Sequence, residues 1–127
     1  MELTGFKHVY SGKVRELYEP EDPKFSHLVL IVASDRISAF DYIHSPDIPG
    51  KGKNLTEVTS WWFERLDYPN HLSDELEVPE TVRGRAVVAK KLKMYPVECV
   101  VRGYLAGSGY KEYLDTGKVC GIELPQG

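Results

Sequence analysis

Three short stretches of the chain combine residue types that could bind a ligand, two of them an anion. In Tyr10-Ser11-Gly12-Lys13-Val14-Arg15 a small, flexible pair separates two runs in which apolar and charged residues alternate. A glycine there lets the backbone approach a ligand closely, consecutive amide N–H groups can hold an oxyanion, and a neighbouring lysine supplies a compact charge for phosphate. The same residues also make an ordinary β-hairpin with a charged rim, and both readings stand at this point. The spacing is not G-x-x-x-x-G-K-[ST], which excludes a Walker loop. Next, Lys90-Lys91-Leu92-Lys93-Met94-Tyr95-Pro96 joins two expected strands in the manner of a hinge. Exposed main-chain groups of a hinge can pair with an adenine edge while Leu92 or Met94 packs on its face; the plain alternative is a charged connection. The third stretch, Val100-Val101-Arg102-Gly103-Tyr104-Leu105-Ala106-Gly107-Ser108-Gly109, brings an arginine out of an expected strand and into a small-residue turn that opens a helix. The planar guanidinium matches phosphate oxygens, and a helix N-terminus with Ser108 adds N–H and hydroxyl donors. This is the outline of a second anion site, distinct from the first.

The elements that must position these residues read mostly as strands. Residues 6–10 and 14–18 flank Ser11-Gly12-Lys13 as a β-hairpin, with Pro20 and Pro23 marking its exit. The run LVLIVA at 28–33 predicts a central strand buried on both faces. SDRISAFD at 34–41 then reads as a strand-to-loop exit, with Asp41 able to cap or brace the loop, and HSPDIPGKGKN at 44–54 as irregular. Asn54 with Glu57 forms a capping box for a helix whose apolar positions Leu55, Val58, Trp62 and Leu66 recur at helical spacing. Trp61, Trp62 and Phe63 are assigned to the core. Strands at 85–90 and 97–104 follow, the second containing Glu98 and Cys99, and then a short helix at 110–114 that Gly117 stops. The order β-β-β-α-β-β-α predicts an α+β fold with a mostly antiparallel sheet and two or three helices.

Composition narrows the function classes. A chain of 127 residues, 42% hydrophobic and 28% charged, can bury one core, and its length favours one domain. The longest apolar run, six residues at 28–33, is far short of the roughly 20 that a membrane helix needs. With no signal-like N-terminus, the expected compartment is cytoplasmic, without a membrane partner. Cys99 and Cys120 have neither Cys-x-x-Cys spacing nor a histidine at ligand spacing, which argues against a disulfide framework or a zinc site. The net charge of −3 is uneven: residues 1–83 carry nine Lys+Arg against fifteen Asp+Glu, and residues 84–127 seven against four. That bias suggests an anionic ligand near the second half or simply a solvated face. With no basic block and an acidic pI, nucleic acid is not an expected partner.

In order and across nearly its whole length, the chain carries the words SGKVRELYE, SDRISAFD, GKGKNLTEVTSWWF, KKLKMYPVECVVRGYLAGSGYKEY and a late LP. In these it resembles the SAICAR synthetase family of purine biosynthesis. The resemblance implies an ATP-dependent ligase in which ATP activates the carboxylate of carboxyaminoimidazole ribonucleotide as an acyl phosphate. The amine of L-aspartate then displaces phosphate and forms the amide of SAICAR. It further implies Mg²⁺ and a two-lobed fold with a kinase-like nucleotide cleft, of which residues 1–127 would be the N-terminal portion. On that resemblance Ser11, Gly12, Lys13, Val14 and Arg15 match the nucleotide loop, and Lys91 and Met94 the adenine-side hinge. Arg102, Gly107 and Ser108 match positions near the ribonucleotide phosphate. Asp35, Arg36, Ser38 and Asp41 match a loop on the substrate or metal side, with Lys13 and Asp41 as the catalytic candidates.

Family members continue past LP into a second lobe with acidic metal-binding residues, and no metal ligand is expected within these 127 residues. Glu98 falls in an expected strand, and Glu112 and Asp115 sit on a short helix beside Lys111. The expectation for the isolated chain is binding without turnover. Two other readings remain at this level: a nucleotide- or phosphate-binding module that does no chemistry, and an interaction protein that pairs with a missing lobe or with itself.

Overall fold

Alternating apolar and charged residues near the N-terminus fold into a hairpin, β1 (Phe6–Ser11) antiparallel to β2 (Arg15–Pro20), with a register shift between His8 and Tyr10. A computed structural model describes the chain at residues 2–97 and 99–126. β3 (Leu28–Ala33) pairs antiparallel with β2, β4 (Ile37–Ala39) and β5 (Tyr42–His44) form a separate hairpin, and β6 (Ala86–Lys90) adds to β3. The main sheet therefore runs β1-β2-β3-β6, wholly antiparallel, with α1 (Lys51–Arg65) between β5 and β6 in sequence. α2 (Gly107–Thr116) and a small hairpin, β7 (Lys118–Val119) with β8 (Ile122–Glu123), complete an α+β chain. Among the described residues no helix is long and apolar enough to cross a membrane.

The chain divides into two compact units, residues 1–93 and 94–127, where length suggested one. In the first, period-2 alternation decides which face of the sheet is buried. Leu28, Leu30 and Val32 of β3, Tyr18 of β2 and Ala86 and Val88 of β6 form one buried face, closed by Leu3 and Val82. Leu28 and Leu30 are fully buried, each stabilising the fold by about 1.5–3 kcal/mol. The expectation that β3 is buried on both faces is corrected: Val29, Ile31 and Ala33, on the other face, are half-buried. α1 lies on that side and does not seal it.

Three further expectations change. The capping box at Asn54 does not form, because α1 begins three residues earlier: Gly50, at φ 80°, precedes it, and the Asn54 N–H already donates to the Gly50 carbonyl. Trp61 and Trp62 are 44% and 51% exposed rather than core; they meet edge to face, and the Arg65 guanidinium lies 3.6 Å from the Trp61 ring centre. The described residues of 97–104 form no strand, and Cys99 is exposed there; Glu98 lies outside the described residues. β-Propensity makes a strand only where a ladder partner exists. The outer edge of β6 is already bonded by residues 71–73, through Ser73 N–H to the Val88 carbonyl and Lys90 N–H to the His71 carbonyl. By contrast the Gly117 stop is found, at φ 70° with its N–H bonded to the Tyr113 carbonyl.

Candidate functional site

The turn between β1 and β2 is tight because Gly12 permits it. Its N–H donates to the Arg15 carbonyl at 2.7 Å, and a side chain at position 12 would begin 3.3 Å from the Tyr10 ring and 3.4 Å from the Arg15 carbonyl oxygen. Beneath the turn, on the sheet face away from the core, is an open recess of about 290 Å³ lined by Tyr10, Gly12, Lys13, Val14, Arg15, Leu17 and Ile31. Its floor is aliphatic and its rim is basic. On the same face a groove of about 310 Å³ shares Val14, Arg15 and Ile31 and reaches Thr56 and Phe63 of α1. Of the expected loop residues, Gly12, Lys13, Val14 and Arg15 are thus gathered at one place, over a surface that could take an apolar ring and present an anion to Lys13 and Arg15; Ser11 does not line the recess, and its hydroxyl donates to Glu16.

Two successive residues after β3 tie this turn to the rest of the sheet. Arg36 Nη2 donates to the Gly12 carbonyl at 2.9 Å and to Glu16 Oε1 at 2.6 Å. The other Glu16 oxygen accepts from Ser11 Oγ at 2.5 Å and lies 2.9 Å from His8 Nε2. Burial by itself would raise the Glu16 carboxyl; the Ser11 and His8 hydrogen bonds and the Arg36 guanidinium overcome it and hold the group at about 2. Asp35, the preceding residue, accepts from the N–H groups of Gly52 at 2.8 Å and Gly50 at 3.2 Å, and from Arg85 Nη2 at 2.5 Å. The Gly52 hydrogen bond first and the Arg85 one next bring the Asp35 carboxyl to about 2. Asp35 is therefore the side-chain cap of α1, supplied from a different element. Sequence reasoning assigned Asp35 and Arg36 to the substrate or metal side and missed this bracing role. The one available signal was Gly50 and Gly52 together, which allow a close approach.

The two catalytic candidates meet: Lys13 Nζ pairs with Asp41, whose carboxyl is lowered by that hydrogen bond and charge. Asp41 and Phe40 form the tip of the β4–β5 hairpin at φ 63° and 50°, a conformation rare for residues other than glycine. Ser38, half-buried in β4, stands opposite Ile43. Lys91 pairs through its side chain with Glu19, and its N–H donates to the His27 carbonyl at 2.7 Å, so that amide is already engaged at the sheet end.

Met94, Arg102, Gly107 and Ser108 belong to the second unit. Met94 and Arg102 are exposed, Gly107 opens α2 at φ 64° after an N-cap residue, Ala106, that makes no side-chain cap, and Ser108 follows it, exposed. Of the basic residues counted in 84–127, Arg85, Lys91 and Lys118 are ion-paired with Asp35, Glu19 and Glu123, which absorbs part of the local charge excess.

Residues 8–127 match the family model described as SAICAR synthetase. Phosphoribosylaminoimidazole-succinocarboxamide synthase of Corynebacterium diphtheriae is 55% identical over 129 residues, an alignment covering 99% of this chain and 42% of that protein. The Mycobacterium bovis protein of the same name is 53% identical, with 98% and 42% covered. Among solved structures, a SAICAR synthase from Saccharomyces cerevisiae complexed with SAICAR superposes with a TM-score of 0.82 at 39% identity, covering 99% of this chain and 47% of that one. The chain thus spans about two-fifths of the length of these curated relatives.

Proposed function

The chain belongs to the SAICAR synthetase family, and from that premise we propose that its first unit is the ATP-holding part of the ligase that joins L-aspartate to carboxyaminoimidazole ribonucleotide. In that reaction a carboxylate oxygen of the ribonucleotide attacks the γ-phosphorus of ATP and ADP leaves. The aspartate amine then attacks the acyl carbon, phosphate leaves, and the amide of SAICAR remains. The observation that carries the reading is the recess under the Gly12 turn, aliphatic at Val14, Leu17 and Ile31 and basic at Lys13 and Arg15. An adenosine moiety suits the floor and a triphosphate suits the rim, where backbone and lysine charge converge.

Lys13 stands paired with Asp41 before nucleotide arrives. A phosphoryl group competing with that carboxylate for the ammonium would draw Lys13 onto the developing negative charge. Within the first unit Lys91 takes the adenine-side role; the family resemblance implies the same role for Met94, which belongs to the second unit. In the second unit Arg102, Gly107 and Ser108 take the ribonucleotide side, Arg102 by its planar fork on the ribose phosphate, and in the first unit Ser38 takes the substrate role that the resemblance implies. ATP binding is accompanied by Mg²⁺ in this reading. Among the described residues no three His, Cys, Asp or Glu side chains converge as a protein-built metal site would require.

Lys13→Ala tests the proposal. Loss of one charge-assisted contact, on the order of 1.5–3 kcal/mol, weakens ATP binding measured by titration calorimetry while the circular dichroism spectrum stays the same. Unchanged ATP affinity in a folded Lys13→Ala chain would return residues 11–15 to a plain hairpin.

A further inference from the structure

We propose that Arg36 is the positioning residue of the glycine turn: it fixes the Gly12–Lys13 peptide in the orientation from which the turn holds a phosphate. The inference rests on the nucleotide reading above, and it gives Arg36 a role inside the protein in place of one on the substrate or metal side.

A glycine turn has a specific weakness. Without a Cβ, the peptide following Gly12 can rotate at little steric cost, and each rotation exchanges the side to which its C=O and N–H point. Because this peptide is trans, its C=O and N–H lie in one plane and point in opposite directions. Arg36 Nη2 holds the carbonyl at 2.9 Å. The Lys13 N–H is thereby directed away from Arg36. One captured oxygen sets the polarity of the whole turn.

Arg36 can do this because it is itself held. Its two Nη2 hydrogens have two acceptors, the Gly12 carbonyl and Glu16 Oε1, and Glu16 is braced by Ser11 and His8 on its other oxygen. Glu16 lies in β2 directly opposite Val32 of β3, so the acceptor is part of the sheet framework. A second backbone tie, Ser34 N–H to the Val14 carbonyl at 3.0 Å, fixes the other shoulder of the turn to the same segment. The residue before Arg36 is the Asp35 that caps α1 and pairs with Arg85. The turn and the helix start are thus referred to one short, doubly anchored stretch. Arg36 has its side chain only 28% exposed and offers little surface to a ligand directly.

The test compares wild type, Arg36→Ala and Glu16→Gln in two measurements on the same chain. Amide hydrogen exchange is read at Gly12 and, as an internal reference, at Leu30 in the buried strand. ATP and adenosine affinities are read by calorimetry. Arg36→Ala is expected to speed exchange at Gly12 about tenfold relative to Leu30 and to weaken ATP about tenfold, as for a lost hydrogen bond to a charged donor, while adenosine changes less than about twofold. Glu16→Gln shifts both readouts the same way by less, and it carries the test if Arg36→Ala does not fold. Equal acceleration at Gly12 and Leu30, or equal loss of ATP and adenosine, would make Arg36 a general structural tie and overturn the proposal; so would no change in either readout. A wild-type chain that binds neither ligand would instead sink the nucleotide reading, while the exchange ratio still decides whether Arg36 sets the turn.

Discussion

The glycine turn at residues 11–15 and the arginine stretch at 102–108 are both proposed as anion sites, yet they stand on very different supports. The turn grows out of a four-stranded sheet whose other face is a buried cluster, and its carbonyls and carboxylates are tied to residues 20 or more positions away. The arginine stretch precedes a helix with no buried residue, held by local contacts: Gly117 N–H to the Tyr113 carbonyl, Leu124 N–H to the Gly117 carbonyl and Tyr113 Oη to the Pro125 carbonyl. A unit of this size buries too little apolar surface to hold long side chains rigidly. The first site is preorganised by long-range ties. Arg102 and Ser108, by comparison, carry their chemistry on a surface.

That contrast can be broken most directly at Gly52. Its added Cβ would sit 2.7 Å from the Ala33 carbonyl oxygen, and backbone cannot step aside as a flexible side chain can. Gly52→Ala is expected to destabilise the first unit by about 1–3 kcal/mol through overpacking. Both tryptophans lie in that unit, so denaturant unfolding followed by tryptophan fluorescence reads it selectively. An unchanged midpoint would show that α1 is not seated against β3. A smaller loss in the same assay is expected for Asp35→Ala, which strips two N–H groups at the start of α1 and the Arg85 guanidinium of their acceptor. If Asp41→Ala, at the exposed hairpin tip, cost as much, the cap would not be special.

Acid sharpens the comparison further. Glu16 and Asp35 titrate near 2 in the folded chain against ordinary values of 4.5 and 3.8. The unfolded chain then binds more protons below those ordinary values, and the stability that the two groups contribute is present above about pH 4.5 and fades as pH falls toward about 2. Unfolding midpoints of the first unit should drop across that window, with a shallower drop in Glu16→Gln. Equal slopes in wild type and Glu16→Gln would mean that the Ser11–His8–Arg36 brace does not stabilise the carboxylate.

The smallest effects belong to the second unit. Arg102→Ala and Ser108→Ala are expected to move stability by no more than about 0.5 kcal/mol, as exposed positions do. In the longer relatives, the matching substitutions should raise KM for the ribonucleotide more than for ATP. A large loss of α2 amide protection in Ser108→Ala would place a structural role where a binding one is proposed.

Local chemistry made several elements of the chain readable. The period-2 runs and the Ser11-Gly12 break specify the β1–β2 hairpin, the apolar run at 28–33 coincides with β3, and Gly117 ends α2 where the left-handed cap requires a glycine. The α1 start was misread because Asn54 and Glu57 form a persuasive local cap, while the acceptor that fixes the start is Asp35, distant in sequence. Valine-rich residues 97–101 suggested a strand because propensity is local, whereas a ladder needs an open edge, and the outer edge of β6 is bonded to residues 71–73. The β4–β5 hairpin hid behind Phe40 and Asp41, which occupy left-handed positions that sequence statistics reserve mainly for glycine and asparagine.

By itself, then, the sequence singled out residues of the types that bind anions and determined the turns at Gly12 and Gly117, because glycine freedom, lysine charge and alternating hydrophobicity act within a few residues. Which of those residues are braced was decided only by tertiary structure. Antiparallel pairing places Glu16 opposite Val32, and the end of β3 brings Arg36 to Gly12 and Asp35 to Gly52. A guanidinium can orient a peptide only from within hydrogen-bond distance, and a separation of 24 positions along the chain is closed to 2.9 Å by the strand register.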